Sequence, residues 1–208
     1  MTYDNTELAN MALGHVGIGL SIGTLETENS QEAIACRRYF DHCRDVLYRM
    51  RRWPFAARLT TLSDLGVTGT NYDGIWLYRY NYPNFAMRIN KIVNPAQRSP
   101  NTNADKIKFE IASKDTGSLG KVILCDQDSA IADYNYLIDD VSVWDAEFVE
   151  NFTTYLAVRI SPSLKCDANL VKEVKAQWKE FLTNCMTTID SESEPDGERP
   201  SQFQTIRG

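Results

Sequence analysis

Between Asn29 and Pro54 the chain places apolar residues at Ala33, Cys36, Phe40, Cys43, Leu47 and Met50, with separations of 3, 4, 3, 4 and 3 residues. This spacing sets all six on one stripe of an α-helix of about 20 residues, with Ser30 as its N-cap. It has no reading as a strand, where one face recurs every second residue. A stripe of this kind must be covered, so the sequence has to supply partners for it. Upstream, Asp4 followed three residues later by Glu7 is a capping box that opens a helix with Leu8, Met11, Ala12 and His15 on one face, and Gly14, Gly17 and Gly19 stop it. Downstream of Asp139 and Asp140 the helical period returns with Phe148, Phe152, Tyr155, Leu156 and Ile160, and Pro162 is expected to close that helix. A fourth helix starts near Asp167 and carries Val171, Val174, Trp178, Phe181 and Cys185. The outer face of the second helix is expected to pair Arg37 with Asp41 and Asp45 with Arg49 at i,i+4.

Pro54 is expected to end the second helix, because the residue before a proline is driven out of the α region. From there to Ile138 the period changes. Apolar residues come in short runs rich in β-branched and aromatic side chains (AARLTTL, IWLYRYNY, FAMRINKIV, IKFEIA, KVILC and YNYLI), and Ile107, Phe109 and Ile111 alternate with Lys108 and Glu110. Turn signals separate these runs: Gly66, Gly69 and Gly74, then Pro83, Asn94 with Pro95, Ser99 with Pro100, and Asp115 to Gly117. Five or six strands at this spacing predict an antiparallel sheet, sandwich or small barrel. The expected fold is therefore α+β: a four-helix bundle, two helices N-terminal and two C-terminal, with an inserted antiparallel β domain. The helical domain takes residues 1–56 and 139–190, the β domain 57–138, and an extended C-terminal tail 191–208. The tail (SESEPDGERPSQFQTIRG) has Phe203 and Ile206 as its only large apolar groups, so it either frays or orders against a partner.

At 208 residues the chain can bury roughly 70% of its unfolded surface, enough for a self-supporting core. No stretch approaches the ~20 apolar residues of a membrane span, and the start, MTYDNTELAN, has no signal-peptide pattern, so synthesis in the cytoplasm is expected. Five cysteines, odd in number and without a C-x-x-C, suggest buried reduced thiols rather than disulfides or zinc. Catalytic signatures are missing: there is no G-x-S-x-G, Walker sequence, G-x-G-x-x-G or H-E-x-x-H. His42 and Cys43 are adjacent on a helix and point about 100° apart, so they cannot act together. Asp126 with Asp128, and Asp139 with Asp140, are the nominal carboxylate pairs, best explained as turn and cap residues. No catalytic residue, cofactor or metal ligand is assigned.

Charge is more informative. The net charge of -6 speaks against a general polyanion binder. Yet residues 37–58 hold Arg37, Arg38, Arg44, Arg49, Arg51, Arg52 and Arg58 against Asp41 and Asp45, a local +5. Residues 122–158 have no Lys or Arg and eight carboxylates, a local -8. Arginines beside aromatics such as Trp53 and Phe55 serve as interface anchors, as phosphate contacts or as a solvated helix face. Arg37, Arg44, Arg49, Arg51, Arg52 and Trp53, with Phe203 and Ile206 in the tail, are the candidate interface residues.

The residues also resemble a family. Asn10, Ala12, Leu13 and Gly14 in the opening helix are followed by Ala35, Cys36, Tyr39, Arg44 and Asp45 in the second. Trp53, Pro54, Phe55, Ala56, Arg58 and Leu59 come next, then the aromatic strand Trp76, Leu77, Tyr78, Arg79, Tyr80 with Tyr82 and Pro83. This order over residues 1–190 is similar to tail tubular protein A, the head-to-tail adaptor of short-tailed bacteriophages. The resemblance implies a non-catalytic virion protein without cofactor, built of helices carrying a β domain. Such a protein forms a homo-dodecameric ring between the portal protein and the tail nozzle (tail tubular protein B), at the head–tail junction, with the genome passing through its bore.

Ring contacts that close are heterologous, so one face of a subunit must complement a different face of its neighbour, and the basic and acidic segments are expected to supply these faces. Twelve copies would carry -72, which lets DNA slide rather than stick. Because neither helical stripe leaves a spare apolar face, the isolated chain is expected to be monomeric until a portal templates the ring. Two alternatives compete: a tail-associated glycan hydrolase using an unidentified carboxylate pair, and a DNA-binding module using Arg49, Arg51 and Arg52.

Overall fold

The computed structural model describes residues 3–66, 75–96, 107–114 and 120–193, with side chains to Thr183. Phe203, Ile206, the side chain of Cys185, and the turn signals at Gly69, Gly74, Ser99 with Pro100 and Asp115 to Gly117 lie outside the described residues. The chain is α+β, with four helices and two small antiparallel sheets among the described residues.

Helix α1 (Asn5–His15) opens on the expected capping box: Asp4 Oδ1 accepts from Glu7 N at 2.7 Å and Glu7 Oε2 from Asp4 N at 3.0 Å. Leu8, Ala9, Ala12 and Leu13 form its buried face, while Met11 and His15 sit at the margin. The loop to α2 is clasped by side chains. Asn10 bonds both the N–H and the carbonyl of Ile22, and Arg37 donates to the carbonyls of Leu25 and Glu28. Helix α2 (Gln31–Met50) is capped by Ser30 and buries Ala33, Cys36, Phe40, Cys43 and Leu47, with Ala35 and Tyr48 beside the stripe. Met50, the last position of that stripe, is exposed.

Two expectations about proline need correction. Helix α2 ends at Met50, not at Pro54, which instead begins a short 3-10 turn (Pro54–Ala56). Helix α3 (Ala146–Leu164) runs through Pro162. One missing N–H is tolerable that close to the end, and the helix is closed by Lys165 in the left-handed region, with the Lys165 and Cys166 N–H groups donating to Ser161 O. Helix α4 (Ala168–Ser193) starts where Asp167 Oδ1 accepts from Asn169 N and Leu170 N. Of its apolar stripe Val174 is buried, and Val171, Trp178 and Phe181 are half-buried.

The strands are β1 (Ala57–Thr61), β2 (Tyr78–Asn81), β3 (Ala86–Val93), β4 (Phe109–Ser113), β5 (Lys121–Cys125) and β6 (Ile131–Tyr136). One sheet has the order β1-β6-β3 and the other β2-β5-β4, all antiparallel. Ile111 breaks the expected alternation of β4: Ile107 and Phe109 are half-buried but Ile111 is exposed, because β4 is an edge strand.

Buried apolar residues fall into two clusters. Helix α3 is central to the first: α1, α2 and α4 each pack against it, around Phe40, Tyr48, Trp53, Trp144, Phe148 and Phe152. The second is shared by both sheets and centres on Tyr80, Ile89, Ile92, Ile123, Ala132 and Tyr134.

The two regions are joined at the C-terminal end of α2. The last four carbonyls of a helix have no partner within it. Here Leu47 O accepts from Trp53 Nε1, Tyr48 O from Asn135 Nδ2, and the carbonyls of Arg49 and Met50 from Arg88. Asn135 is fully buried, donates also to Arg51 O, and accepts from Trp53 N and Asn90 Nδ2. Residues of β3 and β6 thus cap the helix that feeds β1.

Candidate functional site

The arginine segment is the first place to look for a partner surface, and folding draws most of it inward. Arg37 holds the α1–α2 loop. Arg44 pairs with Asp41 at 3.3 Å, Asp45 at 3.0 Å and Asp139 at 2.9 Å. The expected Arg37–Asp41 and Asp45–Arg49 pairs are therefore replaced by contacts to Arg44, whose position between Asp41, Asp45 and Asp139 lets one guanidinium meet all three. Arg51 is only 7% exposed and stacks over Trp53, 4.5 Å from the ring centroid. Arg52 pairs at 3.1 Å with Asp133, a buried carboxylate of β6 that also accepts from Asn90. Arg58 lies 3.6 Å over the ring of Tyr136.

Trp53 is 1% exposed, packed edge-on against Phe148. It has no surface to offer a partner, so among the interface candidates it is corrected to a core residue. Arg44 and Arg52 tie the basic segment to the acidic segment within one chain, which local sequence pattern cannot disclose because the partners are 81 to 95 residues away. Of the seven arginines, Arg38, Arg49 and Arg58 are exposed without an ion pair among the described residues, and Arg58 is engaged by the Tyr136 ring.

What the fold does hold in solvent is apolar surface. Leu59 on β1 is 68% exposed and Phe85 in the β2–β3 turn 65%; Ile75 and Leu77 just before β2 and Ile111 on β4, at the second sheet, are exposed too, as are Leu20 and Val143 elsewhere. Phe85 has a φ of 58°, a left-handed conformation unusual for a bulky residue, and its carbonyl accepts from Leu137 N. A cleft of about 500 Å3 beside it is lined by Thr60, Ser63, Tyr82, Phe85, Tyr134 and Tyr136.

A second cleft, of about 240 Å3, lies where α1, α3 and α4 meet and is lined by His15, Glu150, Thr154, Gln177, Trp178, Glu180 and Phe181. Thr153 Oγ1 donates to Glu150 O at 3.3 Å, so its oxygen accepts from His15 Nε2, also at 3.3 Å. Trp178 stacks on Tyr155 with centroids 4.7 Å apart, and its indole nitrogen is buried without a hydrogen-bond partner among the described residues. The helical stripes had marked Trp178 and Phe181 as core, and nothing local marked Glu150 and Glu180 as neighbours.

The nominated chemistry resolves into structural roles. Asp126 accepts from Leu77 N and Asp128 from the Ser129 hydroxyl. Asp139 pairs with Arg44, and Asp140 caps the turn at Ser142, whose hydrogen bonds lower its pKa. His42 is exposed while Cys43 is fully buried, and burial pushes the thiols of Cys36 and Cys43 up to about 12, far from a reactive thiolate. Among the described residues no three His, Cys, Asp or Glu side chains come together as metal ligands would, and no helix is long and apolar enough to cross a membrane. No family model matches the chain, and no curated protein matches its sequence.

Proposed function

We propose that the chain is a structural subunit of a virion, the adaptor that joins portal to tail nozzle as a dodecameric ring through which the genome passes. The observation that carries this reading is the apolar surface of the sheet region. Side chains such as Leu59, Ile75, Leu77 and Phe85 stand in solvent outside both apolar clusters, and we read them as the surface that an assembly partner covers. The element order supports it too: two helices, six strands and two helices, in the arrangement the family resemblance implies. In this reading the four helices form a bundle centred on α3, and the strands project as a separate docking module. The hydrolase alternative gains nothing from the aspartates nominated for it, since each is committed to a turn, a cap or an ion pair.

The test is to make Leu59→Glu and Phe85→Glu and measure co-sedimentation with portal rings and with nozzle protein. The reading expects unchanged thermal unfolding and loss of binding to at least one of the two partners. Full retention of both would remove the sheet region from the interface.

A further inference from the structure

We infer that the cleft between α1, α3 and α4 receives Arg38 of a neighbouring copy of this chain, forming the repeated contact of the ring. The inference rests on the homo-oligomeric reading above and names the contact. Three features of the cleft select a cationic side chain. Its lining carries two carboxylates, Glu150 and Glu180, and no Lys or Arg. Trp178 and Phe181 provide aromatic wall, on which a guanidinium and its apolar stem pack well. At about 240 Å3 it is smaller than the roughly 300 Å3 at which drug-sized ligand pockets begin, and suits one long side chain.

The donor follows from the same accounting of charges. Arg37, Arg44, Arg51, Arg52 and Arg58 are all engaged within the chain. Arg38 and Arg49 are both exposed and have no ion pair among the described residues; Arg49 sits at the sheet end of α2, near enough to Tyr82 to act on it electrostatically, which leaves Arg38 as the donor on the helical side. It lies two positions, about 200° around the helix, from fully buried Cys36, so it points away from the core, and Ile34 one turn earlier adds exposed apolar surface beside it. Helix α2 packs on α3 through the Cys36 stripe, whereas the cleft opens between α3, α1 and α4. Donor and acceptor therefore sit on different faces of one subunit. That is the requirement for a heterologous contact that can close into a ring, and a two-fold dimer would not need it.

The test uses the full chain in three forms: Arg38→Glu, the double variant Glu150→Lys/Glu180→Lys, and the shape-preserving Glu150→Gln/Glu180→Gln. Self-association is followed by sedimentation velocity, alone and with portal rings, with circular dichroism reporting the fold. Like charges placed in contact should weaken association at least about tenfold for each charge-reversed form, and the Gln pair should weaken it less. An equimolar mixture of Arg38→Glu with the Lys double variant should regain assembly, because every contact then again joins opposite charges. Wild-type-like assembly of the folded variants would overturn this contact and leave the ring reading standing. A wild-type chain that stays monomeric even with portal would overturn both.

Discussion

Replacing Asn135 by alanine is expected to destabilise the protein by about 3–5 kcal/mol. Asn135 Nδ2 donates to Tyr48 O at 2.6 Å and Arg51 O at 2.5 Å, and its Oδ1 accepts from Trp53 N at 3.2 Å. The side chain is fully buried, so water does not replace these bonds in the intact fold. Alanine leaves two carbonyls and one N–H without partners, each costing about 1–3 kcal/mol when desolvated, with partial relaxation bringing the sum toward the lower half of that range. The consequence extends beyond one residue, because the same carbonyls end α2 and the same N–H begins the segment leading into β1. Urea unfolding measures it: the midpoint should fall while the slope holds, and Asn84→Ala on the exposed β2–β3 turn should change stability by less than about 0.5 kcal/mol. A loss under about 1 kcal/mol for Asn135→Ala would refute the claim that this amide joins helix to sheet.

Three further outcomes are expected. Arg52→Ala should cost about 1–3 kcal/mol by stranding the buried Asp133 carboxylate, a range lowered because Arg52 is itself partly exposed, and adding Asp133→Asn should recover part of that loss in the same assay. The Cys36 and Cys43 thiols have folded pKa values near 12, raised from 9 by burial, so the unfolded chain releases these protons first. Stability should therefore be unaffected by them below pH 9 and decline between pH 9 and 12, and the double change to alanine should flatten that decline in melts across pH. Pro162→Ala restores an N–H to the last turn of α3 and should leave stability unchanged or raise it by up to about 1 kcal/mol, read as the thermal midpoint.

Helices were legible because their information is local: Asp4 with Glu7, Ser30, and the 3–4 spacing from Ala33 to Leu47 act within a turn or two of themselves. Strand runs were legible in number and order for the same reason. The polar interior was not. Asp133 and Asn135 alternate with Ala132 and Tyr134 as a solvent face would, yet β6 is the central strand of its sheet and is buried on both sides. Only their distant partners Arg52, Trp53 and Asn90 explain them. The same distance hides the roles of Arg44, Arg52 and Arg58, whose partners Asp139, Asp133 and Tyr136 lie in β6 and just beyond it. The cleft at Glu150 and Glu180 required α3 and α4 to be set side by side before it could be recognised.

The central claim, a ring-forming connector, is tested most directly by molar mass from light scattering of the chain alone and with a portal ring. Twelve copies at 23.6 kDa should add about 283 kDa to the portal complex, with the free chain at or near its single-copy mass. A stable dimer with no affinity for portal would contradict the account.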